Sequence, residues 1–233
     1  SKLVTNKMDL DTTKATIKFA PDKLSYKIMS CAGKIPDSRG YEISVNNKVY
    51  FTTIPSSRIG FYVVVISPTD FQATYTNVFD TWGKDNPLED STSIKLVQYL
   101  RDSIPDGHYL FITSYSSSLR LPLKYKQLKP ESIGSIDSLR KVIQEWGGIL
   151  VDSLGIDEKR WGNSYFFVGR KFGQKYRIAE GFDYDGDTVL SEGYIQQLPT
   201  ESKIVTPVFG PAAQWNHLSF DITYPRIVFK QLL

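Results

Sequence analysis

Hydrophobic residues along this chain of 233 residues fall mainly into short runs typical of β-strands. Asn46-Asn47 lies between two of these runs and suits a two-residue hairpin turn, because asparagine tolerates positive φ. The run at 60–66 is continuously apolar, which predicts a central strand buried on both faces. The predicted strands are residues 15–19, 24–30, 41–45, 48–53, 60–66, 72–79, 109–113, 165–168 and 175–179.

Two segments have helical periodicity instead. From Ser91 the apolar residues recur at steps of three and four, and Pro105 and Gly107 end this first helix. The same spacing at 135–146 predicts a second helix, which Gly147-Gly148 interrupts. The chain is therefore predicted to be a mixed protein in which strands outnumber helices.

The pattern also divides the chain into regions. Residues 1–14 are polar and are predicted to be a loose lead-in, and 15–180 carry the main alternation of strands and helices. Residues 114–134 are polar and irregular, so an exposed excursion is expected there. Residues 181–233 contain several prolines and no helical stretch, and we interpret them as a β-rich extension or the start of a following domain.

Composition and charge exclude several classes of function. Hydrophobic residues make up 41% of the chain and charged residues 23%, which is ordinary for a globular protein. A net charge of +3 spread along the chain gives no basic stripe, so nucleic acid is not an expected partner. No apolar run is long enough to span a membrane. Cys31 is the single cysteine, which excludes an intrachain disulfide and favours a packed thiol over a nucleophile.

The clearest candidate for a metal site is the alternating acidic run of Asp183, Asp185 and Asp187. Clustered oxygens suit calcium, but the spacing does not follow the EF-hand loop. Gly186 within the run makes a turn the simpler interpretation, with calcium as the alternative. His108 and His217 have no partners at the spacing of a zinc site, so no metal and no cofactor is predicted.

Four motifs stand in a fixed order: the strand at 60–66, Phe-Asp-Thr-Trp at 79–82, Ile-Pro-Asp-Gly at 104–107, and the strand ending in Phe-Val-Gly at 164–169. Their order resembles that of the interleukin-like EMT inducer family over roughly residues 24–180. The resemblance implies an α+β fold in which two antiparallel β-sheets form a sandwich-like core flanked by helices, with the β-rich C-terminal extension added. It makes 15–180 the domain of this type.

The resemblance also implies binding instead of catalysis. Sugar-holding members carry an arginine and an acid at positions that fall near Gly162 and Tyr115 here, so their ligand set is not retained. Softer hydrogen-bonding groups and aromatic rings that could stack on a sugar remain as the predicted ligand-binding residues. These residues are Trp82, Tyr115, Trp161, Asn163, Ser164 and Tyr165.

The predicted function is therefore a non-enzymatic recognition module that binds a partner protein or a glycan. Bacterial relatives imply a larger exported or cell-surface protein of Bacteroidetes, associated with type IX secretion, and hence an extracellular or outer-surface location. The alternative is an architectural spacer in a secretion-linked protease or adhesin. A spacer would bury Trp82, Tyr115 and Trp161, whereas a binding module would place them around one concave patch.

Overall fold

A computed structural model gives the structure of the protein. It describes residues 4–6, 8–11, 16–19, 22–32, 40–53, 60–79, 91–115, 136–153, 163–171, 175–197 and 203–205. The chain divides into two compact units. One comprises Ser1–Ala20 with Pro199–Leu233, and the other, called the main unit here, comprises Pro21–Leu198.

The smaller unit contains two strand pairs. Strand β1 (Val4–Asn6) pairs antiparallel with β13 (Lys203–Val205), and β2 (Met8–Asp11) pairs with β3 (Thr16–Phe19). Segments from the two ends of the sequence therefore meet in one unit. The lead-in expected to be loose at 1–14 contains β1 and β2.

The main unit is mostly β. Its strands are β4 (Asp22–Cys31), β5 (Gly40–Val45), β6 (Lys48–Thr52), β7 (Gly60–Ile66), β8 (Ala73–Phe79), β9 (Tyr109–Tyr115), β10 (Ser164–Lys171), β11 (Lys175–Asp183) and β12 (Val189–Gln197). Its described helices are α1 (Ser91–Gln98), which continues as a π-helical turn over Tyr99–Ser103, α2 (Ile136–Glu145), and a short 3-10 helix over Leu150–Ser153.

Two antiparallel sheets are built from these strands. One has five strands in the order β11-β10-β9-β7-β8, and the other has four in the order β12-β4-β5-β6. Asn46 and Asn47 have φ of 48° and 63°, which confirms the hairpin turn predicted between β5 and β6. Strand β12 pairs with β4 along its whole length, although the sequence assigned residues from 181 onward to an extension.

The inner strands of the five-stranded sheet are buried on both faces. Along β7, Tyr62, Val64 and Ile66 contact residues of the four-stranded sheet, and the alternate residues Phe61 and Val63 contact helical residues. The sequence at 60–66 lacks polar alternation for this reason, since both faces exclude water. The continuous apolar run is confirmed as a central strand, and all its pairings are antiparallel.

The two faces of the five-stranded sheet are covered by different elements, the four-stranded sheet on one and helices on the other. Leu24, Ile28 and Ile43 of the four-stranded sheet share one core with Phe111. The other core brings α1, α2 and the 3-10 helix against the same sheet, through Leu96, Val97, Leu100, Leu139, Val142, Ile143, Trp146 and Val151. The expectation of two antiparallel sheets is confirmed, and helices account for a small part of the described residues.

The Ile-Pro-Asp-Gly motif closes the first helical segment against the end of β10. Gly107 has φ of 80°, and its amide donates to the carbonyl of Lys171. Lys171 Nζ in turn donates to the Ile104 carbonyl at 2.7 Å, one of the last carbonyls that a helix end leaves without a partner. Arg170 Nε donates to the Gly107 carbonyl at 2.8 Å. The motif is therefore a structural junction.

Candidate functional site

The four predicted ligand-binding residues that the structure describes all lie at one end of the main unit. We call it the serine end and define it by Ser30, Ser114 and Ser164, which are 0% exposed. They come from the end of β4, the end of β9 and the beginning of β10. The opposite end, called the turn end, is defined by the Asn46-Asn47 turn between β5 and β6, by Ser67 after β7 and by Gly107 before β9.

A network of uncharged hydrogen bonds joins the two sheets at the serine end. The amide of Tyr165 donates to Ser30 Oγ and to Ser114 Oγ, both at 3.1 Å. Ser30 Oγ donates to the Ser114 carbonyl at 2.7 Å, and the two hydroxyl oxygens are 3.2 Å apart. Because Ser30 belongs to the four-stranded sheet and Ser114 to the five-stranded sheet, these hydroxyls provide hydrogen bonds where no strand pairing exists.

Neighbouring bonds extend this network. Thr113 Oγ1 donates to the Met29 carbonyl at 2.8 Å, a second bond between the sheets. Ser164 Oγ accepts from the Ala32 amide at 2.8 Å. Ser164 is therefore a structural partner for the backbone that leaves β4, which satisfies a buried amide.

The turn between β11 and β12 is fixed to the same end. Asp183 Oδ1 accepts from the amides of Asp185 and Asp187 at 2.9 and 2.8 Å, and Gly186 has φ of 79°. The acidic run therefore forms a turn, the simpler of the two interpretations of the sequence, and the Asp183 carboxylate bonds to backbone amides of that turn. Among the described ranges, no group of three or more His, Cys, Asp and Glu side chains is arranged to hold a metal ion.

Two further residues hold this turn against the strands. Asn163 Nδ2 donates to the Tyr184 carbonyl at 3.0 Å, and Asn163 itself is 8% exposed. The Cys31 thiol lies 3.7 Å from the Gly186 carbonyl, which it contacts as a weak donor, and the residue is 2% exposed. Cys31 is thus a buried, packed thiol, with the character that the sequence favoured. The side chain of Tyr184 stays 37% exposed beside this fixed backbone.

Tyr115 ends β9 at the edge of an aromatic cluster between the sheets. Its ring lies 5.1 Å from the ring of Tyr41, which stacks on Tyr62 at 3.9 Å. Phe51 meets Tyr62 edge-on at 5.2 Å. Tyr115 is partly exposed, whereas Tyr41 and Tyr62 are buried. The contact with Tyr41 holds the Tyr115 ring in place, and part of the residue remains open to solvent at the serine end.

A second buried polar cluster is centred on a carboxylate. The side chain of Glu180 is 1% exposed and accepts from the Tyr165 hydroxyl at 2.9 Å. It also accepts from the amides of Ile149 and Val151 at 2.8 and 3.1 Å, and Arg177 Nη1 lies 3.4 Å away. Burial, followed by the nearby Glu180 charge, raises the pKa of the fully buried Tyr165 hydroxyl well above its usual value.

Gly148 permits this contact, because a Cβ there would stand 2.6 Å from the Ile143 side chain and 3.1 Å from Glu180 Oε1. The glycine pair that ends α2 therefore also lets the following backbone reach the carboxylate. The sequence indicated the break in the helix but gave no signal for Glu180, which lies between Ala179 and Gly181 in β11.

The predicted ligand-binding residues have different positions in the structure. Asn163, Ser164 and Tyr165 are together at the serine end, and all three are buried and hydrogen-bonded within the fold. Tyr115 is at the same end and partly exposed. Trp82 and Trp161 lie outside the described residues, so the concave aromatic patch stays a prediction.

The sequence analysis did not single out Ser30, Ser114 or Glu180. Their only signal is a polar side chain within or beside an apolar strand, and that pattern is common on solvent-facing strands. His108, the described histidine, lies at the turn end near the Asp106 carbonyl, 3.4 Å from Nδ1. The described part of the chain therefore places Cys31 and His108 at opposite ends of the main unit.

The main unit is thus a mostly β protein with two antiparallel sheets, whose described nucleophilic and acidic side chains at the serine end bond to the fold itself. Residues 59–174 match the family model described as Interleukin-like EMT inducer. The match runs from β7 through β10 and contains all four sequence motifs. It supports, over this part of the chain, the family to which the motifs pointed.

The match leaves β4–β6, β11 and β12 outside its bounds, although the resemblance was drawn over roughly 24–180. No curated protein matches the chain. None of the helices in the described ranges has the length and hydrophobicity needed to cross a membrane.

Proposed function

We propose that this protein is a non-enzymatic recognition module and that the serine end of the main unit carries its binding surface. The observation that carries the proposal is the combination of partly exposed aromatic rings with a rigidly held backbone. Tyr184 is 37% exposed on a turn whose carbonyl accepts from Asn163. Tyr115 is packed on Tyr41 and partly open to solvent.

Such an arrangement favours binding for two physical reasons. Tyrosine offers a flat apolar ring and a hydroxyl, so it contacts sugars or protein side chains with little loss of rotamer freedom. A backbone held before the ligand arrives does not have to be ordered on binding, which increases affinity. The ligand in this proposal is a glycan or a partner protein, and neither a cofactor nor nucleic acid takes part.

The proposal also includes the arrangement of the two sheets and the cellular setting that the sequence predicted. The two sheets act as a sandwich with helices against the outer face of the five-stranded sheet, and the module belongs to a larger exported or cell-surface bacterial protein. Support for the fold comes from the two cores on opposite faces of that sheet. The exported setting, type IX secretion and a Bacteroidetes host rest on the family resemblance alone.

The architectural spacer is the second candidate. The observation in its favour is that Asn163, Ser164 and Tyr165 are buried and already hydrogen-bonded, as they would be in a domain that binds nothing. The two functions differ in what the exposed rings of Tyr115 and Tyr184 do. A spacer gains nothing from them beyond packing.

A glycan-array screen of the full chain separates the candidates. We expect reproducible binding to a limited set of glycans that falls at least about tenfold in Tyr184→Ala, since one stacking ring can contribute more than a kilocalorie per mole. Tyr115→Ala should act in the same direction, and Tyr115→Phe should keep binding because it keeps the ring.

The matched control is His108→Ala at the turn end, which should bind as the unchanged chain does. A blank array with well-folded protein would favour a partner protein or the spacer. Loss of binding in His108→Ala as large as that in Tyr184→Ala would contradict the assignment of the serine end. Hydrolytic turnover of any bound glycan by the purified chain would contradict a non-enzymatic role.

A further inference from the structure

The described sheets of the main unit have four edge strands, and one differs from the other three. β11 carries charged residues, β12 carries Glu192, and β6 begins with Lys48. Charges on an edge strand discourage another strand from pairing with it. β8 has the sequence Ala-Thr-Tyr-Thr-Asn-Val-Phe, with no charge and no proline over its seven residues.

Among the described residues, no strand covers the side of β8 that faces away from β7. Thr74, Thr76 and Asn77 are exposed, and within the described ranges β8 pairs with β7 alone. Val78 donates its amide to Asn77 Oδ1 at 2.9 Å instead of to a neighbouring strand. That amide therefore points towards the open edge. Since strand residues alternate, the backbone groups of Thr76 point the same way. A register shift opposite Val65 and Ile66 interrupts this alternation before Thr74, so the groups available on this side are those of Thr76 and Val78.

The strand is also complementary to itself. In an antiparallel pair of two identical strands centred on Thr76, that residue faces its own copy, and Tyr75 faces Asn77. Threonine opposite threonine is a favourable cross-strand pair. Tyr75 and Asn77 already form a hydrogen bond within one chain, from Nδ2 to the hydroxyl at 2.8 Å. No like charges meet anywhere in this pairing.

From these observations we infer that the open edge of β8 pairs with β8 of a second copy of this chain, forming a two-fold symmetric dimer with one continuous sheet of ten strands. The local bond between Val78 and Asn77 is exchanged for ladder bonds across the two-fold axis. The dimer is a property beyond the proposed recognition role, and it places two copies of the recognition module in one assembly.

Sedimentation of the full chain from micromolar to millimolar concentration tests the dimer. We expect a monomer–dimer equilibrium, and Thr76→Lys should raise its dissociation constant at least about tenfold because two ammonium groups would face each other. Gln196→Lys is the matched control, an exposed residue on the β12 edge, and should leave the equilibrium unchanged. Circular dichroism establishes that both variants are folded.

Crosslinking gives a second measurement that does not depend on Thr76→Lys. Thr76→Cys should form a covalent dimer with a short bismaleimide reagent, whereas Gln196→Cys should not. Crosslinking through the native cysteine should be low, because Cys31 is buried. A monomer at every concentration, a dimer that Thr76→Lys leaves intact, or equal crosslinking of the two cysteine variants would overturn the inference. None of these results depends on whether a glycan binds.

Discussion

The main unit contains two buried polar clusters that satisfy their hydrogen bonds by different chemistry. At the serine end, neutral hydroxyls of Ser30 and Ser114 hold the amide of Tyr165 between two sheets. Against the helical side of the same sheet, the carboxylate of Glu180 holds the hydroxyl of Tyr165 and two backbone amides. One residue, Tyr165, belongs to both clusters through different atoms.

The comparison explains what each cluster can tolerate. A buried neutral group costs little once it is bonded, and losing one of two acceptors leaves the other in place. A buried carboxylate is costly to desolvate and depends on every donor around it. The hydroxyl network is therefore redundant and insensitive to pH, whereas the carboxylate cluster has no substitute acceptor and responds to titration of its tyrosine.

The largest expected effect is at Glu180. Glu180→Ala leaves the Tyr165 hydroxyl and the amide of Val151 without their acceptor, and we expect a loss of about 3 to 5 kcal/mol in the free energy of unfolding. Urea unfolding followed by circular dichroism measures it. Glu180→Gln keeps the shape and one oxygen, so its cost should be roughly half as large. A cost of less than about 1 kcal/mol for Glu180→Ala would remove the distinction between the clusters.

The serine pair should show redundancy. Ser30→Ala and Ser114→Ala should each cost about 1 to 2 kcal/mol, because the Tyr165 amide keeps one hydroxyl acceptor in either variant. The double variant leaves that amide unsatisfied and should exceed the sum of the single effects by about 1 kcal/mol. Strict additivity in the double-mutant cycle would mean that the two hydroxyls do not share the amide.

Alkaline pH should lower the free energy of unfolding through ionisation of Tyr165. Its pKa is raised in the folded state, so the folded protein keeps a proton that the unfolded chain loses above about pH 10. Stability contributed in this way is complete below the unfolded pKa and falls as pH rises, by up to about 1.4 kcal/mol per pH unit for one group.

Tyr165→Phe should therefore flatten the decline of unfolding free energy between pH 9 and pH 11, about the ordinary tyrosine pKa. Part of the decline should remain, because burial and the neighbouring Tyr75 also raise the pKa of Tyr99. At neutral pH the lost hydroxyl should cost about 1 kcal/mol. An unchanged slope in Tyr165→Phe would place the alkaline sensitivity elsewhere.

The smallest effect is expected at an exposed ion pair, which serves as a reference for the buried clusters. Lys27 Nζ lies 2.7 Å from Glu42 Oε2 on the outer face of the four-stranded sheet, with the lysine side chain 41% exposed. The bond and charge of Glu42 raise the pKa of Lys27. Lys27→Met should change stability by less than about 1 kcal/mol, and added salt should reduce the change further.

The carboxylate of this pair makes the stability depend on pH in a definite direction. Burial alone would raise the pKa of Glu42, but hydrogen bonds from Lys27 and Ser44, with the charge of Lys27, lower it. The small stabilisation is therefore present above the ordinary pKa of about 4.5 and is lost as the pH falls through the folded value. The unfolding free energies of Glu42→Gln and the unchanged chain should therefore differ above that pH and converge as the pH falls below it.

Strands and helices could be predicted from this sequence because their signals are local. The apolar run of β7, the asparagine turn and the spacing within α2 each fix one element without reference to the rest. The π-helical turn at Tyr99–Ser103 could not be predicted, since it preserves the helical burial of Leu100 and has no residue signature of its own. The pairing of β12 with β4 joins residues far apart in the sequence and also has no local signal.

The candidate site was predictable only in part for the same reason. Asn163, Ser164 and Tyr115 are hydrogen-bonding or aromatic residues near strand ends, and the family motifs directed attention to them. Whether such a residue faces a ligand or the core depends on which strand lies opposite. The partner of Ser114 is Ser30, 84 residues earlier in the chain, and nothing at either position indicates the other.

The central claim is that the serine end, and not the turn end, recognises the ligand. Its most direct test is an amide chemical-shift titration of the isotope-labelled chain with a glycan identified on the array. We predict saturable shifts at Tyr115, at Asn163 and across the turn at 183–187, with none at Asn46-Asn47 or Gly107. Shifts confined to the turn end, or absent at the serine end while the glycan binds, would contradict the account.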